Sequence, residues 1–128
     1  MNFLFDTQLL VWVTAQSSRL STRVLRIIED PEHRLYFSVI SVWEIAIKRG
    51  LKRPEFTLDP SILRHDLMER GYLELTVTGA QAVAIEGLPL IHKDPFDRML
   101  AAQAMVEGIT LLTVDSVLAQ YPCPVRLV

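Results

Sequence analysis

Short apolar, β-prone runs alternate with helix-like segments along the whole of this chain, and that alternation restricts the folds open to it. The runs are Asn2 to Phe5, Arg34 to Val39, Tyr72 to Val77, Ile109 to Val114 and Val125 to Val128. A helix between two strands carries the chain back to the same end of a sheet, so strands joined this way lie parallel with both faces covered.

The segments between the runs carry helix signals. Asp6 to Val13 reads as a buried helical turn or two. Ser21 is placed to cap a helix with Val24, Leu25, Ile27 and Ile28 on one face. That helix stops before Asp30-Pro31, because the residue ahead of a proline is driven out of helical geometry. Ser41 reads as the cap of a helix through Lys48, with Gly50 as its terminating C′ residue. Ser61 to Arg70 forms a helix ended by Gly71, and Thr78 to Gly87 a shorter one. Asp94-Pro95, an N-cap followed by proline in the first helical position, opens a helix ending at Gly108. Asp115 to Gln120 is the last. The expected fold is α/β, a three-layer α/β/α sandwich around a central parallel sheet, and residues 1–128 form a single domain without repeats or linkers.

Composition narrows the function. Hydrophobic residues make up 50% of the chain and mean hydropathy is +0.26, which excludes disorder and implies an exposed apolar patch on so small a domain. A homodimer or partner interface is expected there. The net charge of −2 gives no overall basic footprint for nucleic acid. Locally, however, Lys48, Arg49, Lys52 and Arg53 cluster, and Lys93 and Arg98 flank an acidic motif. The single Cys123 cannot form an intrachain disulfide, and zinc-type Cys/His spacing is absent. Asp6 interrupts any signal-like apolar segment, and no apolar run approaches the roughly 18 residues of a membrane span, so a cytoplasmic chain is expected.

Four acids stand at helix starts beside apolar runs: Asp6, Glu44, Asp97 and Asp115. Each has a local explanation. Asp6 can cap the next helix, and Ser41-Val42-Trp43-Glu44 matches a capping box. Asp97 suits the dipole of a first turn, and Asp115 can start a turn. Together they call for more, because ligands bind beyond the carboxyl ends of strands in such sheets and converging carboxylates require a cation. Hard oxygen donors suit Mg²⁺ or Mn²⁺. Asp94 reads as a cap and His92 as a structural hydrogen-bonding residue. Arg98 is a candidate for binding substrate phosphate or for pairing with an acid.

Phe5-Asp6-Thr7, Ser41-Val42-Trp43-Glu44-Ile45 with Lys48, Thr113-Val114-Asp115, and above all His92-Lys93-Asp94-Pro95-Phe96-Asp97-Arg98-Met99-Leu100 resemble the PIN-domain ribonucleases. The last segment is similar to a branch of VapC-type toxins of type II toxin–antitoxin systems. The resemblance implies a Mg²⁺-dependent endoribonuclease that cleaves RNA with metal-activated water. It further implies Asp6 and Asp97 as direct metal ligands, Glu44 and Asp115 in support, and a cognate antitoxin as partner. Lys48 and Arg98 are the candidate substrate contacts. Two departures stand out: Gln8 occupies a position where this branch often has histidine, and Gly50 to Phe56 is unusually basic and interrupted by proline.

Two other classes compete. One is a PIN-like module that binds RNA or a partner without chemistry. The other is aspartyl-phosphate chemistry, for which the Asp-x-Asp-x-Thr pattern is missing because Gln8 stands in the place of the second acid.

Overall fold

Phe3, Leu4 and Phe5 are fully buried, as an apolar run without polar alternation must be when both faces of its sheet are covered. A computed structural model describes all 128 residues and puts this run, β1 (Asn2–Phe5), at the centre of a five-stranded sheet. The chain continues through α1 (Thr7–Thr14), α2 (Thr22–Glu29), β2 (Arg34–Ser38), α3 (Val39–Gly50), α4 (Pro60–Glu69) and β3 (Leu73–Leu75). It then passes through α5 (Gly79–Ala84), α6 (Pro95–Glu107), β4 (Thr110–Thr113) and β5 (Val125–Leu127). Single turns of 3-10 helix occupy Ile85–Gly87 and Leu118–Gln120.

Strand order is β3-β2-β1-β4-β5, and every neighbouring pair is parallel. Leu4 lies opposite Tyr36 on one side and Leu111 on the other. The side-chain period of two divides β1 between two cores. Phe3 and Phe5 pack with Leu9, Leu10, Val24, Leu63 and Leu67 on one face of the sheet. Leu4 packs with Leu100, Ala101 and Ala104 of α6 on the other. Helix α3 contributes to both, through Ile45 to the first core and Ile40 to the second. The three-layer α/β/α sandwich with a parallel sheet is therefore the fold.

Several boundaries differ from expectation. Helix α3 begins at Val39 because Ser38, not Ser41, is its cap, with Ser38 Oγ accepting from the Ile40 N–H at 3.0 Å. The strand runs straight into the helix, which carries Ser41 and Glu44 inside the helical body and leaves no capping box between them. Gly50 is the last residue of α3 rather than its C′ residue, and the left-handed conformation falls two residues later on Lys52 (φ 57°). Gly71 and Gly108 do take the expected positive φ beyond α4 and α6. Asp59 caps α4 ahead of Pro60, slightly earlier than expected, and β3 is limited to three residues at the sheet edge. No helix is long and apolar enough to cross a membrane.

The topology decides where a site can form. From β1 the chain builds outward through β2 and β3, then returns through α5 and α6 to place β4 on β1's other side. The direction of winding reverses between β1 and β4, and the carboxyl ends at such a reversal open a crevice.

Candidate active site

Asp6 is the first residue beyond β1, and burial leaves it only 4% exposed. Its carboxylate caps α1, with Oδ1 accepting from the Leu9 N–H at 2.8 Å. Across the switch point, Oδ2 accepts from Thr113 Oγ1 at 2.6 Å and from the Val114 N–H at 3.1 Å. The expected capping role is real, but the end of β4 supplies as much of the cradle as α1 does. Glu44, 5% exposed, projects from α3. Its Oε1 accepts from Thr7 Oγ1 at 2.6 Å and its Oε2 from Lys48 Nζ at 2.5 Å. Thr7 Oγ1 also lies 2.9 Å from the buried Ser41 Oγ.

Asp94 caps α6, its Oδ1 accepting from the Phe96 N–H at 2.8 Å and more loosely from the Asp97 N–H at 3.4 Å. Asp97 thereby sits in the first turn of α6, where the helix dipole favours a carboxylate. Asp115 follows β4 and starts a turn, with Oδ1 accepting from the Val117 N–H at 2.8 Å. Asp6, Glu44, Asp97 and Asp115 all line one cleft of about 180 Å³, together with Gln8 and Lys48. Asp94 also reaches its wall, so capping does not remove it from the site. Two larger depressions, about 520 and 720 Å³, lie elsewhere. The first is largely apolar; in the second, Asp59 and Asp66 are already paired with Arg49 and Arg70. Chemistry, not size, singles out the small cleft.

Crowded carboxyls compete for protons. Burial raises Asp97 to about 7, aided by the charges of Asp94, Glu44 and Asp6 and opposed by His92. Burial also raises Asp6, outweighing its bonds to Thr113, Leu9 and Val114, with Asp115's charge adding to the rise. Burial acts the same way on Asp115, but the Val117 N–H, the His92 ring and the Leu118 N–H outweigh it and bring that carboxyl below its ordinary value. The one lysine in the cleft wall is already bound to Glu44. A set of hard oxygen donors, two of them raised by burial and with its one lysine already paired, fits a hard divalent cation.

The tightest convergence is not the pair that sequence put first. Ligand atoms of His92, Asp97 and Asp115 lie within 4.8 Å of one another, a group that omits Asp6 and Glu44. His92 Nε2 is 3.1 Å from Asp97 Oδ2 and 3.1 Å from Asp115 Oδ2. The sequence marks His92 as a structural hydrogen-bonding residue, and its ring nitrogen does lie within hydrogen-bonding distance of both acids. The available signal was its place in the loop leading directly into the Asp94 cap. Arg98 is not in the cleft. Its guanidinium donates to the carbonyls of Pro89 at 2.9 Å and Ile85 at 3.2 Å and to the Tyr121 hydroxyl at 3.3 Å. These three oxygens satisfy the guanidinium fork and tie α6 to the segment before it and to Tyr121.

Residues 3–122 match the PIN-domain family, and the chain belongs to that family. No curated protein sequence matches it. Among solved structures it is similar to VapBC2 from Rickettsia felis, bound to a DNA fragment from its promoter, at 13% identity and a TM-score of 0.70, with 98% of each chain covered. VapBC-1 from nontypeable Haemophilus influenzae is similar at 20% identity and a TM-score of 0.59, covering 88% of this chain and 86% of that one. FitAcB from Neisseria gonorrhoeae gives 20% and 0.53, with 91% and 89% covered. At such identities the likeness is one of fold.

Proposed function

We propose that this PIN-domain protein is a metal-dependent endoribonuclease and the toxin of a toxin–antitoxin pair. The observation that carries the reading is the convergence of Asp6, Glu44, Asp97 and Asp115, from four separate elements, on one cleft with a single lysine. Asp6, Asp97 and Asp115 would hold Mg²⁺, or Mn²⁺ in its place, with Glu44 in support. When bound, such an ion lowers the pKa of a water and offsets charge on a phosphodiester.

The chain's own groups divide the remaining work. Thr113 and the Val114 and Leu9 amides fix the Asp6 carboxylate, and Thr7 fixes Glu44. Lys48 places its ammonium at the cleft wall, 4.8 Å from the Phe56 ring centroid, where a phosphate of the substrate would meet it. Trp43 is 55% exposed and packs edge-on against Phe96, offering a flat face to unstacked bases of single-stranded RNA. Gln8, also in the wall, cannot carry protons. The VapBC likenesses support an antitoxin as partner. The apolar surplus includes Val83 and Leu90, 73% and 92% exposed, and supports a homodimer.

The test is cleavage of single-stranded RNA with Mg²⁺, with Mn²⁺ and with chelator. Asp6→Asn and Asp97→Asn should each abolish cleavage while leaving circular dichroism unchanged. Undiminished cleavage in either variant removes the proposed site. RNA binding without turnover in any metal would instead define a binding module.

A further inference from the structure

We propose that His92 is a positioning residue that clamps Asp97 to Asp115 through an N–H donor and is not itself a ligand of the cation. The inference rests on the cleft being a cation site. Although His92 groups with the two acids at ligand-like distances, it is absent from the cleft wall that both acids line.

Hydrogen-bond logic sets the tautomer. The Asp94 backbone N–H points at His92 Nδ1 from 3.2 Å, so Nδ1 carries the lone pair. The ring hydrogen then belongs to Nε2, which faces Asp97 Oδ2 and Asp115 Oδ2 at 3.1 Å each. Ligation through Nε2 would need a lone pair there and would move the hydrogen to Nδ1, against the Asp94 N–H. Two donors cannot satisfy one another, so the loop geometry opposes the ligand role.

The ring is also held in place. The Tyr121 hydroxyl accepts from the His92 N–H at 2.8 Å and donates to its carbonyl at 3.2 Å, and Arg98 donates to that same hydroxyl. Arg98, Tyr121 and His92 thus form a frame beside the acids. Two carboxylates that would otherwise move apart are held by one shared donor at their Oδ2 atoms, while Asp115 Oδ1 stays bound to the Val117 N–H.

Long-range ¹H–¹⁵N correlation on the metal-free wild type should show the Nε2–H tautomer of His92, and an Nδ1–H pattern would overturn the clamp. Pulsed electron paramagnetic resonance of the Mn²⁺-loaded protein should show no histidine nitrogen coupling, and its presence would make His92 a ligand. Calorimetric Mn²⁺ affinity should fall about 10- to 100-fold in His92→Ala, as for other groups that orient ligands, and recover in His92→Gln, whose amide keeps an N–H donor. Unchanged affinity in His92→Ala, or a glutamine no better than alanine, counts against the clamp. If the wild type binds no Mn²⁺, the cation reading itself fails, and the tautomer measured without metal still decides whether the clamp exists.

Discussion

Replacing Asp97 by asparagine keeps the shape of the side chain and removes its charge, and the metal-free protein should respond to pH in a way set by the crowding of the cleft. Asp97 is raised from 3.8 to about 7, chiefly by burial. Between those values the folded chain keeps a proton that the unfolded chain has lost. Stability therefore declines as pH rises through this window, and is highest below it. A shift of that size corresponds to about 4 kcal/mol at most, of which roughly 2.5 kcal/mol falls between pH 5 and pH 8. Asp97→Asn has no proton to lose there, so its stability relative to wild type should improve by up to that smaller figure over the same range. Urea unfolding followed by tryptophan fluorescence, in chelator at both pH values, measures the difference. Added Mg²⁺ should stabilise wild type at pH 8 and leave the variant unmoved. Parallel pH profiles for the two proteins would refute the assignment of Asp97 as the carboxyl raised by burial in the cleft.

Thr113→Val removes the hydroxyl that donates to Asp6 at 2.6 Å while preserving shape, and should cost about 1.5–3 kcal/mol in denaturant unfolding at neutral pH. Lys48→Met leaves Glu44 buried without its cation; it should destabilise the fold by about 3 kcal/mol, and lower the salt dependence of RNA binding by about one unit of slope in a filter-binding titration. Tyr121→Phe strips the support from His92's backbone, and should cost about 1 kcal/mol while weakening Mn²⁺ binding measured by calorimetry.

The alternation of runs and helices was enough to read the sandwich, because parallel strands impose it whatever the details. Ser21, Asp94, Gly71 and Gly108 were equally legible, since each acts on backbone within a few residues. Ser41 is ambiguous for a related reason: Ser38, three residues earlier, offers the same hydroxyl, and only the end of β2 determines which one caps. The four acids stand out in the sequence, but which hydroxyl serves which acid is set by the fold. Thr113 lies 107 positions from Asp6, and Thr7 lies 37 from Glu44. Arg98 shows the limit most plainly. Local sequence sets it beside Asp97, whereas the fold gives it to the carbonyls of a preceding loop.

The cradle around Asp6 has a consequence for the order in which the protein becomes competent. Within this domain Asp6 is synthesised early, just after β1, but two of that carboxylate's three donors come from Thr113 and Val114, 107 and 108 positions later. A nascent chain that has reached α6 already carries Asp6, Glu44 and Asp97, yet β1 still has a bare edge where β4 will pair, and Asp115 does not exist. Three of the acids are then present without the frame that aims them. The cleft closes only when β4 is inserted beside β1, so a chain cut short before that strand is a set of acids and not a site.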